Sequence, residues 1–177
     1  MSPGGGDGGE VRAARPDDAH AVAAIHVATW RDAYAGLLPE EFLAGLDAGQ
    51  WAERWHARLA APAEGVFTQV FEADGRLQGF ASGGPSRDEF RGGEVYTVYV
   101  DPGCQGRGAG SRLLAAATRL LAGAGFADAS LWVLSGNHPA RGFYEAQGWQ
   151  RDGAGHVWAP SGGVSVPELR YVRSLGH

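Results

Sequence analysis

Gly106, Gly108 and Gly110 follow a run of β-branched and aromatic residues, Glu94-Val95-Tyr96-Thr97-Val98-Tyr99-Val100, and open a stretch with helical spacing; Arg107 and Arg112 stand among them. Glycines at such a junction let the backbone turn tightly and approach a ligand, while the first helical turn directs unpaired N–H groups outward. The helix dipole adds roughly half a positive charge at that end, so a pyrophosphate-sized anion is the natural occupant. The same spacing also suits a plain glycine-rich connector, and spacing alone does not choose. A dinucleotide loop of the form G-x-G-x-x-G is disfavoured, because counting from Gly106 or Gly108 places Ser111 or Leu113 at the third glycine. The chain has no lysine, all 15 basic residues being arginine, which excludes a P-loop lysine and a Schiff-base lysine.

The elements that must position this junction read as alternating strands and helices. The spacing predicts a short strand over 11–14, helices over 17–35, 39–46 and 51–60, and a hairpin of strands 66–72 and 76–82 about Ala73-Asp74-Gly75. The strongest strand is 94–100, followed by a helix over 108–124 with Leu113, Leu114, Ala117, Leu120 and Leu121 on one face. A strand over 129–134, a helix over 139–147 and a strand pair at Val157 and 166–172 complete a mixed α/β order. The glycine-rich stretch 1–9 is expected to be a flexible lead-in and 10–177 one domain.

Composition narrows the function. A net charge of -5 argues against nucleic acid as the partner, because phosphate binding needs a concentrated basic face. No apolar run approaches the ~20 residues that cross a bilayer, the start lacks a secretory pattern, and the single Cys104 cannot form an internal disulfide, so a cytoplasmic protein with no membrane partner is expected. The six histidines show no metal-ligand pairing, and no metal is expected.

At Gln105 to Gly110 the chain fits the Q/R-x-x-G-x-G/A coenzyme A loop and resembles the GNAT N-acetyltransferase superfamily. Residues 94–102 resemble that family's fourth strand. Residues 137–149 resemble its N-x-x-A-x-x-F-Y-x-x-x-G-F segment, with Trp149 in place of the usual phenylalanine. Stretches 12–18 and 26–34 are similar to the start of bacterial members, and the similarity spans 11–172.

The resemblance implies the GNAT acyl-CoA N-acyltransferase fold, an α/β architecture with a mixed sheet of about six to seven strands flanked by helices and splayed between the fourth and fifth strands. It implies acetyl-CoA, or another short acyl-CoA, as co-substrate and a small-molecule amine or peptide as acceptor. Strand residues Val98, Tyr99 and Val100 would meet the pantetheine arm, with the backbones of Val98 and Val100 bonding it like an added strand. Gln105, Gly106, Arg107, Gly108, Ala109, Gly110 and Ser111 would hold the pyrophosphate. Asn137 would contact the coenzyme, although its side chain also suits the N-cap before Pro139.

Tyr144 matches the family's general acid, since a phenol with pKa near 10 can donate towards a thiolate whose thiol lies near 8.5; a core aromatic is the alternative. Glu94, where several members carry a catalytic glutamate, is the candidate base. Alternation places it on one face with Tyr96, Val98 and Val100 unless a bulge intervenes, and a solvated strand-end carboxylate is the other reading. His26, Trp30 and Tyr34 recur at i, i+4 and i+8 on the first helix, bordering the acceptor site in the family, but aromatic stripes of this kind are more often core. Cys104 is expected to be structural. A non-catalytic acyl-CoA sensor or interaction module is the competing function, disfavoured because candidate acid and base are both present. A homodimer is left open.

Overall fold

A computed structural model of the chain describes residues 8–160 and 162–176. Of the lead-in expected over 1–9, residues 1–7 lie outside the described residues, and Gly9 is buried so closely against the Phe71 ring that a Cβ would collide with it. The strands are β1 (Glu10–Ala13), β2 (Phe67–Ala73), β3 (Arg76–Pro85), β4 (Gly93–Val100), β5 (Asp128–Leu134), β6 (Gln150–Trp158) and β7 (Val166–Ser174). The helices are α1 (Ala19–Ala33), α2 (Glu40–Ala44), α3 (Ala48–Ala60), α4 (Ala109–Gly123) and α5 (His138–Ala146). They form one seven-stranded sheet in the order β1-β2-β3-β4-β5-β7-β6, in which only β4 and β5 run parallel. This is the mixed, helix-flanked α/β fold that the sequence pattern leads one to expect.

The two faces of the sheet bury different helices. Leu113, Leu114, Ala117 and Leu121 of α4 pack with Val95, Leu131, Val133 and Tyr171. On the opposite face Val22 and Ile25 of α1 and Trp55 of α3 pack with Val70 and Phe80. Leu120 does not join the α4 stripe and is 40% exposed, because the buried face continues instead through Ala109 and Ala116. Asp74 and Gly75 both take positive φ (53° and 72°), the geometry a two-residue hairpin needs, and join β2 to β3. β6 is longer than Val157 alone suggested: it is a mostly exposed edge strand, and its polar, glycine-containing start carries no apolar alternation to read. No helix among the described residues is long and apolar enough to cross a membrane.

Candidate active site

The site grows from the parting of β4 and β5. Their register is limited to Gly93 opposite Ala129 and Glu94 opposite Ser130, after which the strands diverge. Antiparallel pairing to β3 continues to the end of β4, where the Asp101 N–H donates to Gln78 O at 2.8 Å. Alternation therefore turns Tyr99 to β3 and leaves the backbones of Val98 and Val100 facing the open edge. The Val100 carbonyl accepts there from Gln105 Nε2 at 3.3 Å and Thr29 Oγ1 at 3.4 Å. Tyr99 is thus set apart from its neighbours: it pairs with Phe80, and its hydroxyl accepts from Trp30 Nε1 at 2.9 Å.

The chain leaves β4 through a single turn at Pro102–Cys104 and enters α4 at Gly108. Gly106 and Gly108 have φ of +78° and +83°, a region that L side chains seldom occupy. These glycines aim the first-turn N–H groups of Ala109, Gly110 and Ser111 out of the helix end. Arg107 is exposed beside the turn, whereas the Arg112 guanidinium lies 5.1 Å from the centre of the Phe71 ring. Cys104 is buried, with Arg76 Nη2 3.0 Å from its Sγ, consistent with a structural thiol.

α5 is tied to the same turn. A Cβ at Gly110 would stand 3.4 Å from the Phe143 ring, and Gln147 Nε2 donates to Ser111 Oγ at 3.0 Å. Tyr144, beside Phe143, packs its ring against Phe143 and Trp149 at centroid distances of 5.2 and 6.4 Å. Burial, aided by the nearby Tyr99 phenol, pushes the Tyr144 phenol well above its ordinary pKa, so it stays protonated at any ordinary pH. Asn137 caps α5: its Oδ1 accepts from Ala140 N at 3.3 Å, a bond that does not use its Nδ2.

Glu94 is 1% exposed and so is no solvated strand-end carboxylate. One oxygen accepts from Arg87 N at 2.8 Å, the other from Arg87 Nη2 at 2.6 Å and Nε at 3.2 Å. Simple alternation fails in this strand. Ser82 pairs with Thr97 but Gly83 with Val95, so Tyr96 is an inserted bulge residue. Val95, Val98 and Val100 pack on the α4 side, and Glu94 consequently faces the α1 side with Thr97 and Tyr99. The cause lies across the sheet: a Cβ on Gly83 would come within 2.7 Å of Glu94 O and of the Phe67 ring, so only glycine lets the strands approach there. The Tyr96 hydroxyl then reaches Pro85 O at 2.6 Å.

Glu168 of β7 joins this face unforeseen. Its Oε2 lies 2.8 Å from His156 Nε2, and burial raises its pKa against the lowering effect of that bond. Its negative charge works to raise the Tyr34 and Tyr99 phenols and the Arg87 guanidinium. Leu169 and Tyr171 both pack on the α4 cluster, and alternation along β7 therefore puts Glu168 on the α1 face with Glu94 and Thr97.

The stripe on α1 divides. Trp30 packs with Leu38 and Leu43, and Tyr34 packs beside them, as core; His26, 4% exposed, is ringed by Trp30, Trp51, Trp55, Phe80 and Tyr99. Desolvation, with the charge of Arg58, lowers its pKa to about 4. The folded value lies below the unfolded one near 6.5, so the stability is complete above pH 6.5 and falls as the pH drops towards 4, by about 3 kcal/mol in all. His26→Phe is expected to flatten the melting-temperature profile between pH 6.5 and 4, as followed by circular dichroism; an unchanged slope would show that His26 charges freely in the fold.

The family described as Acetyltransferase (GNAT) family matches residues 23–149. The protein named "Uncharacterized N-acetyltransferase YuaI" of Bacillus subtilis is 36% identical over 143 residues, covering 80% of each chain. "Probable N-acetyltransferase Rv2775" of Mycobacterium tuberculosis is 32% identical over 162 residues, covering 91% of each. Among solved structures, the PaiA N-acetyltransferase of Thermoplasma acidophilum in complex with coenzyme A superposes with a TM-score of 0.74 over 94% of this chain and 99% of that one; at 18% identity this is a likeness of fold.

Proposed function

Because the chain belongs to the GNAT acetyltransferase family and is an N-acetyltransferase, we propose that it moves acetyl, or another short acyl group, from its coenzyme A thioester directly to a primary amine of a small molecule or peptide. The observation that carries this reading is the parting of β4 from β5, which leaves the Val98 and Val100 backbones at an open edge that runs straight into the glycine turn at the start of α4. An extended amide-bearing arm can add to such an edge as a strand does, and a pyrophosphate suits the converging N–H groups from Gly106 to Ser111. The coenzyme supplies an activated acyl thioester and a thiolate leaving group.

The chain's own residues supply the rest. Tyr144, held protonated, donates to the sulfur as negative charge develops there. Asn137 Nδ2 offers a donor at the mouth of the splay while its Oδ1 stays with the helix cap. Glu94 removes the amine proton, through water, because Arg87 already engages both carboxylate oxygens. Free alkyl amines have pKa values near 10.4, so a base is needed most below that value.

Binding of acetyl-CoA to the folded chain alone should stabilise it: at a concentration 100-fold above Kd the gain is about 2.7 kcal/mol, a rise of roughly 5–10 °C in melting temperature. NADH should give no such rise, and a chain stabilised equally by both would sink the coenzyme A reading. Glu94→Gln should depress turnover near neutral pH, and its deficit should shrink as the pH approaches roughly 10, where the acceptor loses its proton unaided. A deficit constant across pH would mean that Glu94 holds Arg87 or the substrate in place instead.

A further inference from the structure

Beside the bulge in β4, between α1, α3 and strands β2 to β4, lies a cavity of about 540 Å³, a size that suits a molecule of amino-acid dimensions. Arg58 and Arg87 line it together with His26, and no Asp or Glu does, although the chain as a whole carries a net charge of -5. The two guanidiniums differ in what they already hold. Arg87 is committed to Glu94, whereas none of the ion pairs among the described residues includes Arg58. Arg58 is exposed, its guanidinium 5.2 Å from the centre of the Trp55 ring.

Trp55 in turn fixes the histidine. Its Nε1–H donates to His26 Nδ1 at 3.1 Å, so a neutral imidazole must carry its proton on Nε2. That Nε2 is fully buried and has no hydrogen-bond partner among the described residues. A buried donor without an acceptor is costly unless something bound beside it accepts from it. His26, which carries this orphan N–H beneath the surface, and the unpaired Arg58 guanidinium thus line the cavity together with the apolar rings of Trp51 and Trp55. Both groups call for an acceptor, and the guanidinium for a negative one.

We propose that this cavity is the acceptor's anion subsite and that the acceptor is a small amino-carboxylate, its carboxylate held by Arg58 and the His26 Nε2–H and its apolar body against Trp51 and Trp55. The assignment rests on the N-acyltransferase reading above and adds the substrate class to it. The cavity borders the β4 strand of the reaction centre: Thr97, which lines it, directly precedes Val98, and Arg87, which also lines it, holds the Glu94 carboxylate at 2.6 Å. An amine carried on such a molecule lies along the strand that faces the coenzyme edge. Polyamines, which bring only positive charge, are disfavoured by the same wall.

Three matched probes test this: indole-3-acetate, indole-3-acetamide and tryptamine, titrated calorimetrically against the full chain with and without coenzyme A. Indole-3-acetate should bind at least tenfold more tightly than either neutral or cationic partner. In Arg58→Gln, a change at an exposed helix position, that preference should vanish while the stabilisation by acetyl-CoA is kept. Equal or tighter binding of the amide or of tryptamine, no binding of any probe, or a preference that survives Arg58→Gln would each overturn the proposal. Failure of the coenzyme reading would show separately, as loss of acetyl-CoA stabilisation in the unaltered chain.

Discussion

Tyr144→Phe is expected to lower turnover by roughly ten- to a thousandfold while leaving coenzyme affinity nearly unchanged. The substitution removes one oxygen and little else. The ring keeps its packing against Phe143 and Trp149, and α5 keeps its ties to α4 through Gly110 and through Gln147 to Ser111. Burial holds the phenol protonated, so the donor is present at every pH where the protein is folded, and the loss should be uniform from pH 6 to 9. A phenol raised in this way is a weaker acid than free tyrosine, which is why a residual rate, with water as proton source, is expected. Steady-state rates with a saturating amine, checked by single-turnover measurements, decide the matter. Unaltered turnover with chemistry rate-limiting would leave Tyr144 as a core aromatic.

Gly108→Val is expected to abolish the acetyl-CoA-dependent rise in melting temperature. At φ +83° a β-branched residue is strained by roughly 1–3 kcal/mol, and the least costly relief is to rotate the turn and scatter the N–H groups it aims. The unliganded variant should melt only a few degrees lower, because among the described residues nothing beyond the adjoining backbone lies within 4 Å of a Cβ at this position and the core is untouched. Scanning calorimetry of both chains, with and without acetyl-CoA, separates the two effects. A variant that melts lower yet gains the full stabilisation would remove the pyrophosphate from this turn.

What could be read from the sequence was what adjacent residues decide. The glycine turn, the β4 run and the α5 segment depend on neighbours a few positions away, and each lies where its letters place it. The face taken by Glu94 does not depend on neighbours of that kind. It is set by Gly83 on β3, whose missing side chain admits the bulge at Tyr96, so counting in twos along β4 gives the wrong side. Asn137 suited two roles by type, and the helix beginning at His138 supplies the one its Oδ1 performs. The stripe of His26, Trp30 and Tyr34 was visible as a stripe, but its division into core and cavity wall depends on Trp51 and Trp55 of α3 and on Thr97 of β4. Glu168 pairs with His156 across β6 and β7, a partnership fixed by sheet register rather than by spacing.

The most direct test of the account is release of free thiol from acetyl-CoA in the presence of amines, followed with a thiol reagent and by mass spectrometry of the acceptor. The predicted result is thiol release that requires both the enzyme and a primary amine, with one acetylated amine formed per thiol released and small amino-carboxylates preferred over their amides and over polyamines. Tight binding of acetyl-CoA without amine-dependent thiol release, across amino acids, amino-acid amides, polyamines and peptides, would contradict it.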